Sequence, residues 1–569
     1  MTANQRTSNA VEKIGFEKVF ELVGGHGKCQ WILMWILSLQ LIFLTWNHLG
    51  YIFIGAVPTH WCQIELLEKA TNWTAAEIKE LSLPKTINTN GDQDWKYDSC
   101  KYYDRDYDYI ATRFGNNYKE AIAYVQGSNS DETKTCAKWN YDNSIYSSTI
   151  VTEFDLVCGR RYLAATIQST YMIGGLVGTF LFGTLNDRVL GRRNSALISI
   201  ILVLLGGFAA TLSQSYWLFV FIRLFIAIGT AGCMQASSLL ILEHCDIGSR
   251  AKFYSITGAF FGVGYAIMPI YAYFIRDWVM LQLAFSATTL LLLSYFWLFP
   301  ESPRWLASSG RDEQAVKALE KIARLNGKPK PNKDQLLVLI QSCHKHHGGG
   351  DSEGEGRSQF GRKLQSIAYN IKSLLDTREG CKRTLTVWML FIVVAFVYYG
   401  FAFSTNLTSN PYLLVTIGGL MEIPACIVPV PFLSMWGRRP TTAICYFLTG
   451  AFAIAIAVTP PEYEMLRIVF TMGGKFFIAA AFNVIYLVIG EVYPTLIRST
   501  GQSAGTIMGR FGSIAAPYVA DLLTTVYPDL PCAIFGVVSI FGAGVALMLP
   551  EMKDMEMMDQ VSELELEKL

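Results

Sequence analysis

Apolar blocks separated by short polar breaks run along most of this chain. About 20 apolar residues, rising 1.5 Å each, cross the ~30 Å hydrocarbon layer of a membrane, and each block predicts one such helix. We place spans at 31–55, 161–185, 195–212, 217–242, 252–276 and 280–299. A second set falls at 384–405, 411–433, 441–459, 465–489, 500–523 and 532–549. Breaks come where charge, Gly or Pro interrupts the run, as at Asn186 to Asn194, Thr459-Pro460-Pro461 and Tyr527-Pro528. The polar remainder is 1–30, 56–160, 300–383 and 550–569. This pattern predicts an all-α polytopic membrane protein of twelve helices with a large loop between helices 1 and 2. The expected organisation is an N-terminal segment 1–30, a six-helix bundle 31–299 that includes the loop 56–160, a linker 300–383, a second bundle 384–549 and a tail 550–569.

Composition agrees. Only 16% of the 569 residues are charged and 51% are apolar, against roughly 25% charged in ordinary soluble chains. The net charge of +1 leaves no electrostatic footprint for nucleic acid. The expected surroundings are a lipid bilayer. The first 30 residues hold no short apolar core with a small-residue cleavage site, so span 1 is expected to insert as an uncleaved anchor.

Orientation follows from the basic residues of the short connectors. Arg188, Arg192, Arg193, Arg250, Lys252, Arg438, Arg439 and Arg498 fall on one side, and only Arg276 falls on the other. Both termini and 300–383 are therefore expected in the cytoplasm, with 56–160 outside. That loop holds Cys62, Cys100, Cys136 and Cys158, an even number in an oxidising compartment, with three possible pairings. Asn72-Trp73-Thr74 is a glycosylation acceptor, whereas Asn406-Leu407-Thr408 sits at a membrane edge. Trp61, Trp73, Trp95, Trp139 and many tyrosines suit a small folded core in the loop.

The chain also repeats itself. Gly191-Arg192-Arg193 recurs as Gly437-Arg438-Arg439, an offset of 246. Gly258 and Gly262 recur as Gly505 and Gly509, offset 247. Glu243 and Arg250 recur as Glu491 and Arg498, and Pro269 as Pro517, all offset 248. Pro300-Glu301 recurs as Pro550-Glu551, offset 250. A near-constant offset across these pairs implies two six-helix halves in the same orientation, the layout of major facilitator transporters. The pairs Gly174/Gly178, Gly258/Gly262 and Gly501/Gly505/Gly509 offer bare helix faces, for sliding between halves or for static packing.

Charges at matched spacing suggest gates. Asp187, Arg188, Arg192, Arg193, Glu243, Arg250, Glu491 and Arg498 sit at predicted cytoplasmic helix ends, with Glu301 and Arg304 just beyond span 6. Salt bridges among them are expected to hold the inner side shut and to break as it opens; retention of topology by positive charge is the plainer reading. Charge inside a span is costly and points to function. Glu422 in span 8, Lys475 in span 10 and Arg510 in span 11 are the candidates, as substrate contacts or as a bridge among themselves. Glu422 can attract a cation, and Arg510 can take a carboxylate in bidentate fashion. Tyr398, Tyr399 and Tyr265, with Trp46 and Tyr51, offer aromatic faces to an amine or else form an interface belt. His344, His346 and His347 lie in a Gly-rich charged stretch and read as solvated linker. No phosphate-binding loop, hydrolytic or redox constellation is present. We expect no enzyme, no cofactor and no metal site.

Four segments carry a resemblance. They are Cys136-Ala137-Lys138-Trp139-Asn140-Tyr141-Asp142, Glu153-Phe154-Asp155-Leu156-Val157-Cys158, Pro300-Glu301-Ser302-Pro303-Arg304-Trp305-Leu306 and Gly490-Glu491-Val492-Tyr493-Pro494-Thr495-Leu496-Ile497-Arg498. With the long first loop, the chain resembles the organic cation, organic anion and carnitine transporter family from about residue 13 to 550. The resemblance implies plasma-membrane transport of small organic ions by alternating access, either facilitated or coupled to Na+ or H+. Family cation carriers hold an acid where this chain has Arg510, and anion and carnitine carriers hold Arg. Glu422-Ile423-Pro424 resembles the cation and carnitine branches, and Cys426 replaces a Lys common in anion members. An Arg and a Glu together suit a zwitterion such as carnitine, with organic anions the alternative. The chain departs from the family in one extra residue between Arg188 and Gly191, in lacking the acid before Gly437, and in having four loop cysteines. A sugar porter shares the Gly-Arg-Arg turns but would show paired glutamines. A receptor using the large loop has no use for charges buried in spans.

Overall fold

The computed structural model describes residues 15–87, 95–126, 132–186, 190–347, 374, 378–404, 410–493 and 498–552. Helices occupy all twelve predicted spans. In the first half they are α1 (Lys28–Leu49), α2 (Arg161–Leu185), α3 (Gly191–Thr211), α4 (Tyr216–His244), α5 (Ile247–Phe274) and α6 (Trp278–Thr289). In the second half they are α7 (Arg378–Phe403), α8 (Pro411–Ile427), α9 (Arg438–Val458), α10 (Glu464–Val492), α11 (Arg498–Leu522) and α12 (Leu530–Ala546). Among the described residues nine helical stretches are long and apolar enough to cross a membrane, and α12 is a shorter apolar helix. The other two, α2 and α11, are rich in Gly, Ser and Thr, which suits helices packed on protein more than on lipid. Side chains turned outward elsewhere are large and apolar, among them Leu205, Phe221, Trp297, Phe447 and Val537, as a lipid-facing surface requires.

Local chemistry sets the helix ends. The Ser215 hydroxyl accepts from the Leu218 N–H at the start of α4, and Asn410 Oδ1 accepts from Leu413 N–H at the start of α8. Each satisfies an otherwise orphaned donor of a first turn. Pro424 lies inside α8, whose axis continues after Val428 as a separate turn, Pro429–Met435. Pro429 and Pro431, which lack the N–H groups that would continue the α8 ladder, account for that break.

By contact the chain divides into two units, 1–52 with 165–275 and 279–569, and 53–164 with 276–278. The larger holds α1, α3 to α5, α7 to α12 and most of α2 and α6. It also holds a small helical cluster that the sequence reading did not expect. The amphipathic helix Gly15–Val23 packs Val19, Phe20 and Val23 against Trp305, Leu306, Val316, Leu319 and Ile322 of the linker. Asn326 ties this cluster to α1: its Oδ1 accepts from Cys29 N–H at 2.8 Å, and its Nδ2 donates to the carbonyl oxygens of Val23 and Gly24 at 3.2 and 2.7 Å.

The smaller unit has its own core of Cys62, Ile64, Leu67, Leu81, Tyr107 and Ile110. Its strands are β1 (His60–Cys62), β2 (Lys85–Ile87), β3 (Trp95–Tyr97), β4 (Lys101–Tyr103), β5 (Thr133–Thr135) and β6 (Trp139–Tyr141). They form three antiparallel two-stranded ladders, β1–β6, β2–β3 and β4–β5. Of the three possible cysteine pairings the structure shows Cys62–Cys136 and Cys100–Cys158. Asn72 is exposed. Thr74, two residues on, caps helix Ala75–Ser82 in a reciprocal box with Glu77. Those bonds hold the Glu77 carboxyl below its ordinary range, the Thr74 N–H first among them.

Candidate functional site

A cluster of buried polar side chains is built where α5 meets α8. A Cβ on Gly419 would lie 2.4 Å from the Ala266 nitrogen, and one on Gly262 would lie 3.0 Å from the Gly419 oxygen. Two glycines thus let the backbones touch. Glu422, three residues past Gly419, is drawn into the interior at 7% exposure, and Lys475 on α10 is 4% exposed. The Lys475 ammonium lies 3.8 Å from the centroid of the Tyr265 ring. It occupies space that a side chain at Gly418 would need, with Nζ only 2.5 Å from a Cβ there. Tyr398 Oη donates to Glu422 Oε1 at 2.6 Å. Glu422 and Lys475 act on one another as opposite charges, which offsets part of the cost of burying either.

Tyr265 is 1% exposed and its face is covered by the protein's own cation, so in this conformation it presents no open ring to an amine. Trp46 is also committed to packing: Nε1 donates to the Gly264 oxygen at 2.8 Å, and its ring meets Tyr271 and Phe285. Tyr399 instead bridges the halves, its hydroxyl 2.9 Å from His48 Nε2 on α1.

Arg510 does not join the Glu422 cluster directly. It is half-buried on α11, 3.6 Å from the position of a Cβ on Gly175 of α2. Its charge reaches His48, Tyr171 and Tyr399, and Tyr399 also feels Glu422. The Tyr398-Tyr399 pair on α7 thereby stands between an acid and a guanidinium. His48, Tyr171 and Arg223 were not singled out from sequence. Arg223 carried a readable signal, a lone basic residue inside span 4, but the apolar run continues unbroken through it.

The charged helix ends form two matching networks. Arg192 Nε and Nη2 bond Glu243 Oε1 at 3.1 and 2.6 Å. Arg438 Nε and Nη2 bond the two oxygens of Glu491 at 2.7 and 3.0 Å. Glu301 Oε1 accepts from the backbone N–H groups of Arg192 and Arg193 at 3.0 and 3.3 Å. Glu551 accepts in the same way from Arg438 and Arg439 at 2.9 and 3.2 Å. A carboxylate at a helix start satisfies orphan donors and complements the helix dipole. Gly191 and Gly437 precede these arginines with φ of +80° and +96°, a region open mainly to glycine. Burial pushes the Glu301 carboxyl above its ordinary range, against the pull of the Ser302, Arg193 and Arg192 N–H groups.

These bonds run within each half, between antiparallel neighbours that meet at one membrane face, and none of them crosses from one half to the other. Glu243 binds Arg192 and Glu491 binds Arg438, whereas Arg250 Nε donates to the Leu242 oxygen at 3.0 Å. The Arg304 guanidinium lies over the Phe20 ring. Asp187, Arg188, the Arg498 side chain, Asn406 and the side chains of His344, His346 and His347 lie outside the described residues. The glycine pairs divide as well. Gly174 and Gly178 pack on α4, and Gly505 and Gly509 on α7, all within a half; Gly262 alone of those named meets the other half.

Among the described residues, hydrogen bonds join the halves toward the ends of α1, α7 and α11 and the start of α2. They are His48–Tyr399, Thr166 Oγ1–Tyr518 Oη at 3.1 Å, and Ser169 Oγ donating to the Ile514 oxygen at 2.7 Å.

Comparison with known proteins agrees with this architecture. The family described as "Sugar (and other) transporter" matches residues 114–563. Solute carrier family 22 member 6 of Danio rerio is 32% identical over 557 residues, covering 97% of this chain and 94% of that one. The Organic cation transporter-like protein of Drosophila melanogaster is 29% identical over 556 residues, covering 97% and 92%. Among solved structures, the inward-open xylose transporter XylE of E. coli aligns with a TM-score of 0.55 at 18% identity, covering 73% of this chain and 93% of that one. At that identity it shows the fold alone. The chain is a multi-pass membrane transporter and not an enzyme, and it belongs to the organic cation and anion transporters of solute carrier family 22, within the major facilitator superfamily.

Proposed function

We propose that this protein carries small zwitterions or organic cations, such as carnitine-like compounds, across the plasma membrane by alternating access. The observation that carries the reading is the placing of Tyr398 and Tyr399 between Glu422 and Arg510. An ammonium group competes for Glu422, and a carboxylate is taken by the fork of Arg510. The positive residues of the short connectors orient both termini to the cytoplasm, and the 56–160 loop, glycosylated at Asn72, to the outside. The bonds at His48, Thr166 and Ser169 then close the outer side, and they must break before substrate enters from outside.

One observation favours a second reading. Lys475 offsets Glu422 within the same cluster, which leaves Arg510 as the net charge and suits an organic anion. Uptake of a labelled quaternary ammonium ion, carnitine and an aromatic carboxylate, measured with and without sodium and at two pH values, separates the readings. Carnitine or the quaternary ion should lead. Uptake of the aromatic carboxylate alone would install the anion reading, and uptake of none would remove both.

A further inference from the structure

We propose that Arg223 in α4 holds a small inorganic anion, of the size of chloride, inside the N-terminal half. The residue is 1% exposed. Its Nη1 donates to the Asn47 carbonyl oxygen over a long 3.3 Å, while Nε and Nη2 are buried without a partner. A guanidinium cannot escape this by losing its proton, and an uncompensated buried charge is strongly unfavourable. The rings of Tyr171 and Tyr51 lie 4.5 and 5.7 Å from its centre. Ring faces attract a cation but satisfy none of its N–H groups.

Arg467, another buried arginine at 5% exposure, shows the usual solution. Arg467 in α10 directs Nη1 and Nη2 at the Asp529 carboxylate. No carboxylate hydrogen-bonds Arg223. Asn47 stands nearest on α1, and its amide N–H groups are used by the Phe43 oxygen and Thr289.

Hydrogen donors stand among the polar groups beside Arg223. Tyr171 Oη, against which the guanidinium stacks, has only the Thr230 hydroxyl within reach, and Gln168 Nε2, one turn away on α2, has no partner; the amide oxygens of Gln168 and Asn47 are likewise without one. Positive charge accumulates on this face: Arg510 also reaches Tyr171, and the His48 ring lies 5.4 Å from the Tyr171 ring. Among the described residues the acid felt nearby is Asp521, which acts on Tyr51. Unused N–H and O–H donors around an unpaired cation are complementary to an anion. Water satisfies such donors but leaves the charge standing. With Arg223, Tyr171, Gln168 and Asn47 all at 2% exposure or less, the site admits an ion and excludes an organic substrate. It borders the Arg510 region through Tyr171 and does not depend on which substrate is carried.

The test uses the purified full-length protein in lipid nanodiscs. Radioactive chloride binding and thermal unfolding are measured in sodium chloride and in sodium gluconate of equal ionic strength. We expect saturable chloride binding, displaced by bromide, and an unfolding midpoint a few degrees higher in chloride. Arg223→Gln should abolish both effects and Arg510→Gln should retain them. Tyr171→Phe and Gln168→Leu, which keep the charge, should each lower chloride affinity roughly tenfold; they serve if Arg223→Gln does not fold. Absence of saturable binding to the unmodified protein, with equal midpoints in the two salts, would overturn the proposal. So would chloride binding that survives in Arg223→Gln.

Discussion

The two halves of the chain agree at one membrane face and diverge in the interior. At the face, Arg192, Glu243 and Glu301 build the same network as Arg438, Glu491 and Glu551, residue for residue. Inside, the first half buries Arg223 against tyrosines, and the second buries Glu422 and Lys475 together. Two copies that began alike and still share a feature share a structural need. Where they differ, the need is local to one half, and a transporter's substrate supplies such a need. On the proposed reading the repeated networks hold each bundle together, while Glu422 and Arg510 meet the cargo.

The strongest way to break this comparison is to unbalance the interior. Glu422→Ala leaves Lys475 buried alone, and Lys475→Ala leaves Glu422 so; each should cost about 3–5 kcal/mol. Thermal unfolding of the purified variants reads this. The double variant should cost less than the sum, and simple additivity would show that the two charges do not compensate one another. The face networks should respond in parallel but not equally. The Arg192 side chain is 9% exposed and that of Arg438 is 26% exposed. Arg192→Ala should therefore lose about 3 kcal/mol and Arg438→Ala about 1.5 kcal/mol, the range for hydrogen bonds to charged groups. Gly191→Ala and Gly437→Ala should lose similar amounts to each other, about 1–3 kcal/mol, because each forces a side chain into positive φ.

Contacts between halves should behave differently, shifting a conformational balance and not stability. Tyr399→Phe or Ser169→Ala removes one bond on the loop side, worth about 0.5–1.5 kcal/mol. A cysteine placed between the loop-side helix ends should become roughly two- to tenfold more reactive to a membrane-impermeant reagent. The smallest effect concerns pH. Burial raises the Glu301 carboxyl in the folded chain, so the folded state binds its proton more tightly than the unfolded one. Stability from this group is complete below the ordinary carboxylate range and falls as pH rises through the raised value. Unfolding midpoints in Glu301→Gln should lack that slope.

Much of this architecture was readable from residues. Twelve apolar blocks located the helices, and the 246 to 250 offsets anticipated the matched networks, because a repeated backbone places repeated residues alike. Partner choice was not readable. The spacing of Glu243 and Arg250 suggested a pair, yet Glu243 binds Arg192 of the neighbouring antiparallel helix, a tertiary fact that spacing along one chain does not carry. Lys475 covers Tyr265 across 210 positions, and no local pattern shows that. Four loop cysteines allowed three pairings, which only the strand pairing and core around Cys62 resolve. Arg223 passed unnoticed because one charge scarcely alters a long apolar run.

The most direct test of the central claim is the initial rate of labelled carnitine uptake by Glu422→Gln, Arg510→Ala and Arg439→Ala at matched surface expression. The account predicts a loss of at least about tenfold for each of the first two, equivalent to ~1.4 kcal/mol of lost interaction. Arg439→Ala, altered only at the repeated face, should stay within about twofold of the unmodified protein. Carnitine uptake that is unchanged in Arg510→Ala would contradict it.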